Sequence, residues 1–123
     1  MKLLLSIKPE HAENILSGIK LYEFRKVIPN RAITKAVIYA TKPVGKVIGE
    51  FEIGGISTDS PDKIWAATKQ ASGISKQFFD EYFSGRNKAH AIRAISPKRY
   101  KTPLALEAIL GRSMPPQSFC YIS

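Results

Sequence analysis

Cysteine is nearly absent: Cys120 is the single thiol in 123 residues. No internal disulfide and no cysteine-rich zinc site can be built from it. Histidine is scarce as well, and His11 and His90 stand too far apart in sequence to form a metal-ligand spacing. Long apolar runs are missing. The opening Leu3-Leu4-Leu5-Ser6-Ile7 ends at Lys8-Pro9-Glu10, short of the roughly 7 to 15 residues of a signal-peptide core. No window approaches the roughly 20 apolar residues of a bilayer span. No phosphate-cradling glycine loop exists either, since Gly49, Gly54 and Gly55 lack the required spacing. These shortages predict a soluble, cytoplasmic protein with no disulfide, no metal, no bound cofactor and no membrane association. A hydrophobic content of 44% with 24% charged residues excludes collagen-like, low-complexity and disordered chains. The length suits one domain.

What is present reads as alternating strands and helices. Residues 2–7 are apolar and precede Pro9, as a strand would be. Pro9 in a first turn, Glu10 against the helix dipole, Ala12, Ile15 and Leu16 at helical spacing, and Gly18 as a stop predict a helix. Residues 20–26 alternate, with Tyr22 and Phe24 on one face and Glu23 and Arg25 on the other. Residues 36–40 read as a buried strand. Residues 46–53 read as a half-buried one, with Val47, Gly49, Phe51 and Ile53 facing one way. Ser60-Pro61 opens a helix carrying Ile64, Trp65 and Thr68. Ser75 opens another, with Ile74 and Phe79 at hydrophobic-staple spacing. The face made by Phe78, Phe79, Tyr82 and Phe83 reads as core, while Trp65 either covers the sheet or lines a cleft mouth. Residues 88–95 and 118–122 read as strands, and 104–110 as a short helix in a proline-punctuated stretch. This order predicts an α+β domain around a mixed or antiparallel sheet, open or closed into a small barrel.

Charge is lopsided. Lys and Arg number 19 against 10 Asp and Glu, a formal charge of +9, which favours a polyanionic partner such as nucleic acid. No acidic residue occurs in residues 24–49, which hold Arg25, Lys26, Arg31, Lys35, Lys42 and Lys46, or in residues 82–106, which hold Arg86, Lys88, Arg93, Lys98, Arg99 and Lys101. If the two segments meet, phosphates enter between them with counterion release. Tyr39, Tyr100 and His90 lie among them as stacking candidates. Lys98, Arg99 and Lys101 would extend the phosphate track. A plainly solvated basic surface is the alternative.

The densest cluster is Gly18-Ile19-Lys20-Leu21-Tyr22-Glu23-Phe24-Arg25-Lys26. Glu23 and Arg25 share a strand face and can pair. Lys20 can hold a phosphate, or act as a base if burial lowers its pKa. Glu23 or Tyr22 can move a proton. The structural alternative is an ion pair closing one sheet edge. Ser118 and Tyr121, on the closing strand, either complete the cleft wall or serve as an edge hydroxyl and a packed ring. His11 reads as exposed or capping, His90 as half-buried, and Cys120 as a small hydrophobe.

Gly18-x-Lys20-x-x-Glu23-x-Arg25 resembles the GxKxxExR signature of the ASCH domain, a branch of the PUA-like superfamily. Ile7-Lys8-Pro9, the helix that follows, and the ending Pro116-Gln117-Ser118-Phe119-Cys120-Tyr121 resemble the same family, so the likeness spans almost all of residues 1–123. It implies a small PUA-like β-barrel surrounded by helices, with a basic cleft for RNA or a nucleotide-like ligand. Lys20, Glu23, Tyr22 and Ser118 become candidates for catalysis. Arg25, Lys26, Lys98, Arg99, Lys101, Tyr100 and Tyr121 become candidates for ligand binding. It also implies metal-independent activities of two kinds, ribonuclease and N4-acetylcytidine amidohydrolase; a non-catalytic RNA-binding module and a protein-interaction adaptor whose basic surface meets an acidic partner stay open beside them. The amidohydrolase branch keeps the lysine, matched by Lys20, but has threonine where Glu23 stands. It also takes a downstream glutamate, for which Glu81 or Asp80 would have to serve. The oligomeric state is left open.

Overall fold

The computed structural model describes residues 1–122. Among them six strands and four α-helices follow in the order β1 (Lys2–Ile7), α1 (Pro9–Leu16), β2 (Tyr22–Arg25), β3 (Lys35–Ala40), β4 (Lys46–Asp59), α2 (Pro61–Thr68), α3 (Lys76–Tyr82), β5 (Ala89–Leu104), α4 (Leu106–Leu110) and β6 (Phe119–Ile122), with a 3₁₀ turn at Lys69–Ala71. The strands form one curled sheet in the order β2-β5-β4-β3-β1-β6. β1 and β3 run parallel; the other neighbours are antiparallel. The α+β mixed sheet expected from the sequence is thus the fold observed.

Leu3, Leu4 and Leu5 of β1 form an unbroken apolar run because the strand lies inside the sheet with both faces covered. Leu3, Leu5 and Ile7 join Ile38, Phe51, Ile92 and the α1 residues Ala12 and Ile15 in the main core. Leu4 points the other way, to Val37, Tyr39, Val47 and Leu106 of α4. A third cluster lies beneath α2 and α3, where Phe24, Ile64, Phe79, Phe83 and Ala91 meet. Both helices begin as their sequences require: the Ser60 and Ser75 hydroxyls accept from the Lys63 and Phe78 amides.

Three expectations change. Val47 and Phe51 do not share a face; they belong to different clusters. Register shifts between Val47 and Gly49 and between Glu50 and Glu52 are bulges that break the alternation. β4 also runs past residue 53 to Asp59. β5 continues from Ala89 to Leu104 instead of stopping at 95, leaving α4 only Leu106–Leu110. The prolines that suggested a stop sit in its irregularities. Partners Glu52↔Ile95 and Glu50↔Lys98 leave Pro97 in the extra length of β5, and Gly49↔Arg99 with Val47↔Leu104 does the same for Pro103. No ladder amide is needed at a bulged position, so proline is tolerated there.

Candidate functional site

β2 and β6 are the two ends of the strand order, yet the curl brings them to one cavity of about 720 Å³. Its wall includes Ser6 and Ile7 of β1, Glu23 and Arg25 of β2, Phe78 and Tyr82 of α3, and Ser118 and Phe119 at the start of β6.

Lys20 enters this cavity from the turn between α1 and β2, not from the alternating strand expected over residues 20–26, since β2 begins at Tyr22. Gly18 at φ 84° ends α1, and the Lys20 amide then donates to Asn14 O at 2.9 Å. The residue is only 2% exposed. Its Nζ donates to Ser72 O at 2.8 Å and stands 4.5 Å from the centre of the Phe24 ring. Burial is the main force pulling the amine down from 10.5 to about 8; Arg25 adds to it and Glu23 opposes it. A much larger share of this amine is neutral near pH 7 than of an ordinary lysine.

Glu23 and Arg25 pair as the strand spacing predicts, with Nε and Nη2 both on Glu23 Oε2 at 3.0 and 2.8 Å. Arg25 also donates through Nη2 to Ser6 O at 2.9 Å. Through Nη1 it donates to Ser118 Oγ at 3.0 Å and more weakly to Ser118 O. Four hydrogen bonds and one ion pair thus engage its guanidinium with protein oxygens. The arginine therefore ties β2 to β1 and to the entry of β6 while it lines the cavity. Lys8, Lys26 and Arg86 also line the cavity, and Lys26 Nζ rests 4.7 Å from the Tyr82 ring.

The apolar face of α3 divides between two jobs. Phe79 and Phe83 are buried in the third cluster. Phe78 and Tyr82, one position earlier, stack at 6.4 Å with planes 7° apart and line the cavity. The expectation of a uniform core face is corrected here: Phe78 and Tyr82 sit at the edge of the apolar stripe and line the cavity, Tyr82 while still packing against the third cluster. His11 is likewise not an exposed cap. It lines the cavity, its ring 5.1 Å from Phe78, with Nδ1 buried and unpartnered. Desolvation, with Lys20 nearby, lowers its pKa. Its i,i+4 relation to the buried Ile15 was the available signal.

Other expected residues lie elsewhere. The Tyr22 ring packs in the third cluster under the Arg93 guanidinium, 5.5 Å away. The Tyr121 hydroxyl accepts from Asn30 N and bonds Asn30 Oδ1. Lys98, Arg99, Tyr100 and Lys101 occupy the far half of β5; Arg99 pairs with Glu13, and Tyr100 donates to Glu50 at 2.9 Å. None of these six lines the cavity. Of the cations in the two basic segments, Arg25, Lys26 and Arg86 line the cavity. Tyr39 is buried in the core and His90 bonds Thr58. Trp65 covers the sheet, 5.0 Å from Phe79. Asp80 pairs with Lys76 and Glu81 with Gln77, both outside the cavity. Among the described residues no group of three or more His, Cys, Asp or Glu side chains is placed to hold a metal ion, and no helix is long and apolar enough to cross a membrane.

The family model for the ASCH domain matches residues 5–99. An ASCH domain-containing ribonuclease from Zymomonas mobilis is 35% identical, covering 96% of this chain and 82% of that protein. The crystal structure of ASCH from Zymomonas mobilis superposes with a TM-score of 0.91 at 32% identity, covering 99% of this chain and 87% of that one. The ATP synthase subunit alpha of Ureaplasma parvum serovar 3 is 32% identical over 98% of this chain, which spans 15% of that longer protein.

Proposed function

The chain belongs to the ASCH domain family, and on that premise we propose that it binds single-stranded RNA in the cavity and cleaves it with the Lys20 amine as base. The observation that carries this reading is one lysine, almost wholly buried, whose amine stands at a cavity with an aromatic wall and a cationic rim. The cavity lies within the roughly 300–1,000 Å³ of small-ligand sites, so it suits one nucleotide drawn from a strand and not a stacked duplex. Phe78 and Tyr82 supply a stacking surface. Lys8, Lys26 and Arg86 meet phosphate oxygens. Ser118 Oγ accepts from Arg25, which leaves its own proton to donate to the ligand.

In the proposed step the neutral Lys20 amine takes the proton of the ribose 2′-hydroxyl. The 2′-oxygen bonds to phosphorus and the bond from phosphorus to the 5′-oxygen breaks. The leaving oxygen takes a proton from water, and Lys20 returns its own to solvent. The products are a 2′,3′-cyclic phosphate and a 5′-hydroxyl. The rim cations stabilise the charge on the phosphorane, while Glu23, held by Arg25, keeps the amine from losing basicity altogether. The amidohydrolase reading is less well supported, because neither Asp80 nor Glu81 reaches the cavity.

The test is cleavage of a labelled RNA oligonucleotide in EDTA by the parent and by Lys20→Met. The parent is expected to yield cyclic-phosphate ends, with a rate that climbs as pH rises towards about 8 and then levels. DNA of the same sequence should stay intact. Equal turnover by parent and variant, or equal cleavage of the DNA, overturns the reading.

A further inference from the structure

Lys20 is enclosed from a direction that its own motif does not account for. The 3₁₀ turn ends at Ala71, whose carbonyl accepts from the Leu21 amide at 2.9 Å. The next carbonyl, Ser72 O, accepts from Lys20 Nζ at 2.8 Å. The residue after that is Gly73, with φ +70°. A Cβ built on Gly73 would lie 2.5 Å from Lys20 Cβ and 2.6 Å from Lys20 Cγ. Those are not flexible tips. They are the root of the side chain, and they cannot retreat without moving the turn that carries them. Ser72 is 2% exposed. Its hydroxyl donates to Ile74 O at 3.0 Å and makes longer bonds to Lys69 O and Ile74 N, so the loop is stitched to itself while it presses on the lysine.

We infer that residues 72–74 are a positioning element for Lys20, with Gly73 lying against the lysine stem and Ser72 O fixing the amine, so that the loop sets both the place of the base and its isolation from water. This rests on the reading of Lys20 as the base and deepens it. None of the three residues is charged. The charged and titratable groups that face Lys20 are Glu23 and Arg25 on β2 and His11 on α1, so the loop acts by excluding water and not by charge.

The test separates backbone strain from loss of this contact. Gly73→Ala introduces both. Gly111→Ala, at φ +72° with nothing within 4 Å of its Cβ, introduces strain alone. The readout is the Lys20 ¹³Cε resonance titrated in lysine-labelled protein, assigned by its disappearance in Lys20→Met; it requires no RNA. The parent and Gly111→Ala are expected to titrate near 8. Gly73→Ala should titrate at about 9 or above, as water regains the amine. Its RNA cleavage should then fall by about tenfold at pH 7 and recover at high pH, a rescue that mere damage to the fold would not show. If Gly73→Ala does not fold, Ser72→Ala, which adds no atoms, is expected to shift the midpoint in the same direction. A folded Gly73→Ala that titrates with the parent overturns the inference. So does an unshifted Ser72→Ala where Gly73→Ala is unfolded. A shifted midpoint in a protein whose parent cuts no RNA would leave the loop's role intact and remove the cleavage reading instead.

Discussion

Replacing Lys20 with methionine keeps the unbranched stem and removes the charge, which isolates what the amine costs the fold. The folded value of about 8 lies below the unfolded 10.5, a gap worth about 3 kcal/mol. Because the folded value is the lower one, the unfolded chain holds more protons between pH 8 and 10.5, and the parent gains stability as pH rises through that window. Below pH 8 the full penalty is present, and above 10.5 it is gone. Methionine abolishes the dependence. Urea unfolding followed by Trp65, the single tryptophan, measures both proteins from pH 7 to 11. Cys120, Tyr82 and Tyr100 also titrate at high pH, but they do so in both proteins and cancel in the difference. That difference, parent minus variant, should climb by about 3 kcal/mol across the window. Lost bonding to Ser72 O and to the Phe24 ring shifts the curve as a whole without changing its shape. A difference that stays flat would show that the amine is not buried as a charge, and the case for Lys20 as a base would go with it.

Phe78→Ala should weaken single-stranded RNA binding by roughly 1–3 kcal/mol, as loss of one stacking surface does, and leave the melting temperature nearly unchanged. Phe79→Ala, one residue on, should cost about 3–5 kcal/mol of stability instead; titration calorimetry and thermal melts distinguish the two. Arg25→Ala strands the Glu23 carboxylate and unties two strand edges, so a loss of about 3–5 kcal/mol is expected in denaturant unfolding, with Glu23→Gln costing clearly less. Arg86→Ala should reduce the slope of log K against log salt by about 0.7 for single-stranded RNA, whereas Lys101→Ala, outside the cavity, should leave it unchanged.

Most of the local grammar was readable in advance. Pro9, Gly18, Ser60-Pro61 and Ser75 mark helix ends because capping and positive φ are decided within a few residues. Glu23 and Arg25 met because strand alternation alone puts them on one face. What escaped depends on distant partners. Pro97 and Pro103 look like strand breakers until the bulges opposite β4 give them positions that need no amide. Four apolar residues on α3 look like one stripe until the cavity claims Phe78 and Tyr82. Basic segments give no hint of their spacing, and Lys98, Arg99 and Lys101 ended up on the far half of β5. The reach of residues 72–74 over Lys20 joins positions some fifty apart, which local pattern cannot register.

A barrel normally closes by a hydrogen-bonded ladder between its first and last strands. Here that final seam is spanned by a single guanidinium, from Glu23 across to Ser6 and Ser118. The cavity opens beside that seam, with Glu23, Arg25, Ser6 and Ser118 all in its wall. Closure there depends on one side chain: a residue too short to reach Ser6 and Ser118 leaves the seam with no tie from Glu23.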